Sequence, residues 1–191
     1  INYNTLSLAV LGDNSSSSLI IHKGNSACVI DLNGGNTQAY YNQKYLRKIG
    51  IKDVKVLSLT SNFQQSISTY ENRFQLFNVE EVLIPNDEYF RKGSYILGLT
   101  PKKIDKNNTI VDMGEYQIII TKDNTVTVKY GEFSMLCVNG STKINHARES
   151  YSVVAFYSGK AIPTNAGYFI SLDSKKNITG TDVFNGSTLI T

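Results

Sequence analysis

Residues 18–31, SLIIHKGNSACVID, decide the fold at the start of the chain, because they hold two apolar runs on either side of a tight polar turn. Short runs rich in Val, Ile and Leu that are bounded by Gly and Asn predict strands. A third run of this kind, LSLAVL at 6–11, precedes them and ends at a Gly-Asp-Asn turn. The sequence therefore predicts three consecutive strands in this part of the chain.

Two helices are predicted after these strands. Over 37–49, Tyr41, Tyr45 and Ile49 fall at positions i, i+4 and i+8, which places them on one helical face. A second helix fits about 65–77, where four apolar side chains share a face. These are Ile67, Tyr70, Phe74 and Phe77.

The remaining apolar runs complete the predicted fold class. VKVLSLT (54–60) and EEVLIP (80–85) predict buried strands, so the first half has the order βββαβαβ. From Thr109 onward the pattern is almost purely β and predicts a meander of strands. Helices and strands that are partly mixed and partly segregated predict an α/β (α+β) fold with two mixed sheets packed face to face and helices outside. No long linker divides the chain, so residues 1–191 are expected to form one domain.

Composition excludes several classes of protein. The chain has 191 residues, of which 41% are hydrophobic, 18% are charged and only 3 are Pro, so disordered and collagen-like architectures are set aside. A net charge of +3 is too weak to indicate a nucleic-acid partner by itself. No apolar stretch approaches the length of a membrane span.

Cys28 and Cys137 lie in strand-like runs and are expected to be buried thiols. The abrupt start at Ile1 suggests a fragment of a longer protein.

Five segments, taken in order, resemble the metallo-β-lactamase-type C-terminal domain of the ComEC-like bacterial competence DNA-uptake channels. They are VLGDNSSSSLII (10–21), ACVIDLNGG (27–35), YLRKIGIKDVKVLSLTSN (45–62), DNTVTVKYGEFSMLCVNGS (123–141) and TDVFNGSTLIT (181–191). The resemblance implies a metallo-β-lactamase-like αββα sandwich in degenerate form.

The same resemblance implies that the metal site is lost. A two-metal hydrolase needs nitrogen and carboxylate ligands clustered at the strand ends. The family's His-x-His-x-Asp-His loop aligns with residues 61–66, SNFQQS, its bridging carboxylate with Ser141, and its late His-His-Gly-Ser turn with residues 157–160, YSGK. The vestigial cleft is accordingly assigned to Asp31, Ser61, Phe63, Gln65, Ser66, Ser141 and Ser158.

No catalytic or metal-binding residue is assigned. The chain has two histidines, His22 and His146, and neither has His, Cys or Asp neighbours at ligand spacing. Asp31 is the acid that the resemblance retains. In the family it supports the metal loop, whereas here we expect it to accept backbone N–H bonds at the end of a strand. No cofactor is expected.

Basic residues cluster on and just after the first predicted helix. They are Lys44, Arg47, Lys48, Lys52 and Lys55. Lys44, Arg47 and Lys48 are expected on one side of the helix, opposite the stripe of Tyr41, Tyr45 and Ile49. One interpretation is a solvated face. The other is a phosphate-contacting strip that binds nucleic acid without base specificity, with exposed tyrosines stacking on unpaired bases.

These observations lead to one functional expectation and two alternatives. The expected function is a non-catalytic structural or DNA-handling domain on the extracytoplasmic side of a membrane-anchored, competence-type DNA-uptake protein. Its partners would be DNA, the membrane-embedded remainder of its own chain and other proteins of the uptake machinery. The alternatives are a weak or metal-independent nuclease or hydrolase that uses the vestigial cleft, and a protein-interaction module that docks to channel partners.

Overall fold

The computed structural model describes residues 5–12, 16–34, 37–59, 64–85, 94–105, 107–121, 124–139, 150–158, 165–171 and 188–190. The chain divides into two compact units, residues 1–104 and 105–191, and each unit contains one sheet. The expectation of a single domain stays a prediction.

The described part of the first unit holds a six-stranded sheet and two helices. Its elements are β1 (Ser7–Gly12), β2 (Ser17–Lys23), β3 (Ser26–Asn33), α1 (Gln38–Lys48), β4 (Asp53–Ser58), α2 (Gln64–Phe74), β5 (Asn78–Ile84) and β6 (Lys102–Lys103). The strands follow one another in chain order across the sheet. β1, β2 and β3 pair antiparallel, whereas β3, β4, β5 and β6 pair parallel.

The mixed pairing of this sheet follows from its connections. Antiparallel neighbours can be joined by a tight turn, whereas parallel neighbours need a long crossover. The turn at Gly24 joins β2 to β3, and Gly24 has the positive φ of 61° that glycine adopts without strain. α1 and α2 supply the crossovers that join β3 to β4 and β4 to β5. Almost every residue of β2 and β3 is buried, as expected for strands in the middle of a sheet.

The predicted helices are close to the observed ones, but the buried face of α1 differs from the prediction. Tyr41 is 48% exposed, whereas Tyr45 and Ile49 are half-buried and pack against the core, so only part of the predicted stripe of Tyr41, Tyr45 and Ile49 faces the sheet. The buried side chains of α1 are Gln38, Ala39, Asn42 and Leu46. Two of the four are amides, which a search for apolar periodicity passes over.

The second unit has a seven-stranded sheet in its described residues. Its strands are β7 (Asn108–Asp112), β8 (Gln117–Thr121), β9 (Val126–Tyr130), β10 (Phe133–Asn139), β11 (Ser150–Ser158), β12 (Asn165–Ser171) and β13 (Thr188–Ile190). From β7 to β10 the strands form the antiparallel meander that the sequence predicts. From β10 to β13 the pairing is parallel, so the meander is wrong for this half of the sheet. Alternation within a strand shows which face is buried but carries no information on the direction of its neighbour.

Apolar side chains from β10, β11 and β12 form the core of the second unit. Leu136, Val154 and Phe169 are fully buried there, and the rings of Phe156 and Phe169 stack with centroids 6.1 Å apart. Cys137 is also buried, and burial raises the pKa of its thiol to about 12. Cys28 is buried in β3 and neither cysteine forms a disulfide, which confirms the prediction of two buried thiols.

A buried polar network fastens α1 to the first sheet, and its first half is built around Gln38. The side-chain amide of Gln38 donates to Ser18 Oγ at 2.6 Å and to the backbone oxygen of Leu11 at 3.4 Å. The hydroxyl of Ser16 donates to Gln38 Oε1 at 2.9 Å. Gln38 is fully buried, so these bonds replace the water that its amide gives up on folding.

Asn42, one helical turn later, carries the network on to α2 and β3. Asn42 Oδ1 accepts from Ser18 Oγ at 2.5 Å, and Asn42 Nδ2 donates to the hydroxyl of Tyr70 at 2.9 Å. The Tyr70 hydroxyl also hydrogen-bonds Asp31, and its pKa is raised well above its usual value by burial and then by the carboxylate of Asp31. We name the set Ser16, Ser18, Asp31, Gln38, Asn42 and Tyr70 the buried polar network. It links two strands and two helices of the first unit.

Removal of the Tyr70 hydroxyl should destabilise the first unit. In Tyr70→Phe, the amide of Asn42 and the carboxylate of Asp31 lose a buried partner, and a buried polar group left without one costs about 1–3 kcal/mol. Urea denaturation should therefore show a free energy of unfolding lower by that amount. Tyr40→Phe is the matched control, because Tyr40 is 41% exposed and its change should stay within about 0.5 kcal/mol. A Tyr70→Phe variant as stable as the wild type would show that the network is not needed.

Protonation of His22 should also lower stability. His22 is only 7% exposed in β2, and burial lowers its pKa below the ordinary value of 6.5. The unfolded chain therefore binds a proton before the folded chain does, so the contribution of His22 is complete above pH 6.5 and is lost as the pH falls through and below that value. We expect the free energy of unfolding of the wild type to fall more steeply with decreasing pH than that of His22→Phe. Parallel pH profiles for the two proteins would contradict this.

Candidate functional site

Most of the predicted vestigial cleft lies where no side-chain geometry is described. Ser61, Phe63 and Ser141 fall outside the described residues. Gln65 and Ser66 belong to the first turn of α2 and Ser158 ends β11, so only the backbone of these three is placed. The structure therefore does not test whether these side chains form a cleft, and the assignment of the cleft stays a prediction.

Asp31 is the one member of the predicted cleft whose side chain is described. It lies in β3 with 1% of its surface exposed. Its carboxylate hydrogen-bonds the hydroxyl of Tyr70, which belongs to α2. The sequence predicts that Asp31 accepts backbone N–H bonds at a strand end. The structure adds a contact with the hydroxyl of Tyr70, which depends on α2 and has no signal in the neighbouring sequence, and the predicted backbone bonds stay a prediction.

The described side chains do not fit the metal pair that a metallo-β-lactamase-like hydrolase would hold. A metal site of this kind needs several His, Cys, Asp or Glu side chains converging on one point. Across the described ranges, no group of three or more such side chains comes together. His22 packs against Tyr45, with ring centroids 6.3 Å apart, and His146 lies outside the described residues. Asp31 is therefore not part of a cluster of three or more such side chains among these residues.

A cleft of about 440 Å³ lies between α1 and the end of β1, and it is the candidate site of the first unit. Six residues line it, namely Leu11, Gly12, Tyr41, Lys44, Tyr45 and Lys48, and we name it the α1 cleft. The sequence pattern predicts that the lysines lie opposite the tyrosines, and this prediction is wrong. Positions i+3 and i+7 share the helical face of i and i+4, so Lys44 and Lys48 stand beside Tyr41 and Tyr45.

The backbone at the end of β1 forms one wall of the α1 cleft. Gly12 has a φ of +108°, and a Cβ at this position would lie 2.0 Å from the backbone oxygen of Ser16. Only glycine fits there, so no side chain from position 12 fills the cleft. The hydrogen bond from Gln38 to the backbone oxygen of Leu11 ties the same wall to α1. The buried polar network therefore also sets the width of the cleft.

Among the described residues, no acidic side chain forms an ion pair with the lysines of the α1 cleft. None of the six lining residues is acidic, and within the described ranges neither Lys44 nor Lys48 forms an ion pair. Both side chains are exposed. Free ammonium groups beside tyrosine rings combine charge with flat apolar surface, which suits an anionic ligand that also has a planar group.

The other predicted basic residues do not enter the α1 cleft. Arg47 and Lys52 are exposed on and after α1. Lys55 lies in β4 and forms an ion pair with Glu80 of β5, and this hydrogen bond raises the pKa of Lys55. The structure thus brings together two of the five predicted basic side chains and gives a third its own acidic partner.

Arg73 of α2 is a basic residue near α1 that the sequence analysis does not single out. Its guanidinium lies 5.3 Å from the ring centroid of Tyr40, and the rings of Tyr40 and Tyr41 meet edge to face at 5.5 Å. Gln43 also donates to the backbone oxygen of Arg73 at 2.8 Å. These contacts depend on the packing of α2 beside α1, so spacing along one helix could not predict them. They add a positive charge and a second exposed ring beside the α1 cleft.

No helix in the described ranges is long and apolar enough to cross a membrane.

Comparison with known proteins supports the fold and gives no family. No protein-family model matches the sequence, and no curated protein matches it either. Among solved structures, CmlA, a diiron β-hydroxylase from Streptomyces venezuelae, is similar over 90% of this chain with 10% identity and a TM-score of 0.55. Its E377D mutant is similar over 78% of this chain with 12% identity and a TM-score of 0.48. This chain spans only 45% and 34% of those two chains, respectively.

A metallo-β-lactamase from Hirschia baltica is similar over 70% of both chains, with 14% identity and a TM-score of 0.40. Identities this low bear on the fold alone. The predicted fold class is confirmed at the level of an α/β arrangement of two mixed sheets with few helices in the described residues.

Proposed function

We propose that this chain is a non-catalytic, DNA-handling domain built on a metallo-β-lactamase-like scaffold. The observation that carries the proposal is the α1 cleft, where Lys44 and Lys48 lie beside Tyr41 and Tyr45 and have no ion-pair partner in the described part of the chain. Lysines that contact phosphates release counterions from DNA, and this term supplies most of non-specific affinity. A fold can keep its scaffold after its original site is lost, because stability rests on the core.

The non-catalytic part of the proposal is supported by residue types. The sequence positions that align with the family's metal ligands carry Ser61, Phe63, Gln65, Ser66 and Ser141, whose side chains are poor metal ligands. The described residues add no cluster of alternative ligands.

The cellular setting is proposed from the order of the five sequence segments that resemble competence DNA-uptake channels. In this setting the chain is the extracytoplasmic domain of a membrane-anchored uptake protein. Its partners are DNA, the membrane-embedded remainder of its own chain and other proteins of the uptake machinery. A DNA-binding cleft on such a domain would hold incoming DNA near the channel without cutting it.

The metal content of the purified chain tests the non-catalytic part. After a soak in zinc or manganese and removal of excess metal, elemental analysis should give sub-stoichiometric metal. The physical reason is that the aligned loop offers hydroxyl, amide and aromatic side chains, which hold these ions weakly. A stoichiometric, tightly held metal would mean that the alignment of the ligand loop is wrong, and a hydrolase would then be the better proposal.

The salt dependence of DNA binding tests the second part. For the wild type, the logarithm of the association constant should fall linearly with the logarithm of salt concentration. In the double variant Lys44→Gln/Lys48→Gln, the slope should become shallower by about 1.5, because two phosphate contacts are lost. Lys55→Gln removes a positive charge that is already paired with Glu80, so its slope should match that of the wild type. Equal slopes for all three proteins would contradict the assignment of the DNA-binding lysines.

A further inference from the structure

We propose that the α1 cleft is a site for single-stranded DNA, in which unpaired bases stack on Tyr41 and Tyr45 while Lys44 and Lys48 contact the phosphates between them. This inference rests on the proposed DNA-handling function and adds to it the form of DNA, the contacting side chains and the mode of contact. It follows from the repeat along α1, the charge of the cleft and the exposure of its rings.

The residues of α1 that line the cleft repeat a pair made of one tyrosine ring and one lysine ammonium group. Tyr41 with Lys44, and Tyr45 with Lys48, are both i, i+3 pairs, and members of such a pair are neighbours on a helix. With a rise of 1.5 Å per residue, the two pairs stand about 6 Å apart along the helix axis. A nucleic-acid strand also repeats a flat base and a charged phosphate. The helix therefore offers two successive units of the pattern that a strand presents.

The cleft is open enough and wide enough for bases to reach the rings. Tyr41 is 48% exposed, and the backbone of Leu11 and Gly12 lines the opposite side of the cleft. The volume of about 440 Å³ lies in the range of small-ligand sites, roughly 300–1,000 Å³, so planar groups of the size of a base fit within it. Tyr45 lies deeper, where its ring meets His22 at 6.3 Å and is held in place.

Single strands suit this surface better than duplexes. In a duplex the faces of the bases are covered by their neighbours, so only its phosphates could meet the cleft, and the tyrosines would have no partner. Unpaired bases offer both faces, and stacking of a base on an aromatic side chain is largely independent of sequence. Arg73, 5.3 Å from the ring of Tyr40, provides a further cation for the strand where it leaves the cleft.

The test measures fluorescence anisotropy of labelled oligothymidylate, an abasic oligodeoxynucleotide of equal length and a duplex of equal charge, at low and moderate salt. The wild type should bind oligothymidylate more tightly than the other two. Tyr41→Leu, which keeps an apolar side chain but removes the ring, should weaken oligothymidylate binding by about 5- to 150-fold and leave abasic binding nearly unchanged. Tyr168→Leu is the matched control, because Tyr168 is 50% exposed on β12 of the other unit, and it should bind like the wild type.

The outcomes separate the inference from the function on which it rests. Salt-dependent binding of the wild type that is equal for all three DNA probes and unaffected by Tyr41→Leu would overturn the stacking site but leave DNA handling in place. Absence of binding to any probe at low salt would overturn both. Polyglutamate that binds as tightly as oligothymidylate would show that the cleft selects negative charge alone, as an acidic protein partner would require, and would also overturn the inference. Circular dichroism of Tyr41→Leu that matches the wild type rules out misfolding as the cause of lost binding.

Discussion

The burial of two amide side chains, Gln38 and Asn42, on the inner face of α1 is the constraint on which the first unit depends. Buried amides are stable only when their donors and acceptors are satisfied, and here Ser16, Ser18 and Tyr70 satisfy them. Because these bonds are directional, they fix the rotation of α1 about its axis. An apolar face of the same size would tolerate several rotations, whereas this one tolerates a single orientation.

That fixed rotation explains both the composition of the α1 cleft and an error of the sequence analysis. Apolar periodicity selects Tyr41, Tyr45 and Ile49 as the buried stripe, since tyrosines count as apolar and amides do not. The structure turns the amides inward, and so Tyr41 faces outward beside Lys44. Pattern reasoning found the helix and its length correctly, but the face that it buries was decided by hydrogen-bond partners from β2 and α2. Those partners are distant in sequence and carry no local signal.

In the rest of the fold, some features follow from the local sequence and others depend on residues that are distant in the sequence. The strands, the two crossover helices and the burial of Cys28 and Cys137 follow from short runs of apolar residues between turn residues, and the structure agrees with them. The parallel pairing of β10 to β13 does not follow from any such run, because strand direction depends on long connections. The ion pair of Lys55 with Glu80 likewise needs β4 and β5 side by side. Of the predicted basic residues, the described part of the structure brings Lys44 and Lys48 into one cleft, beside tyrosines that the sequence pattern places on the opposite side of the helix.

The two faces of α1 differ in how strongly the core depends on their residues, and this has a consequence for how the chain can change over generations. The inner face is held by Gln38 and Asn42. Most replacements there would be rejected, because they leave buried polar groups without a hydrogen-bond partner. On the outer face, Tyr41, Lys44 and Lys48 are exposed and are not part of the core, so these positions are free to drift. A lineage could therefore exchange one ligand for another by replacing a few exposed positions on a single helix. Such a helix is a place where new recognition can arise while the architecture beneath it is preserved.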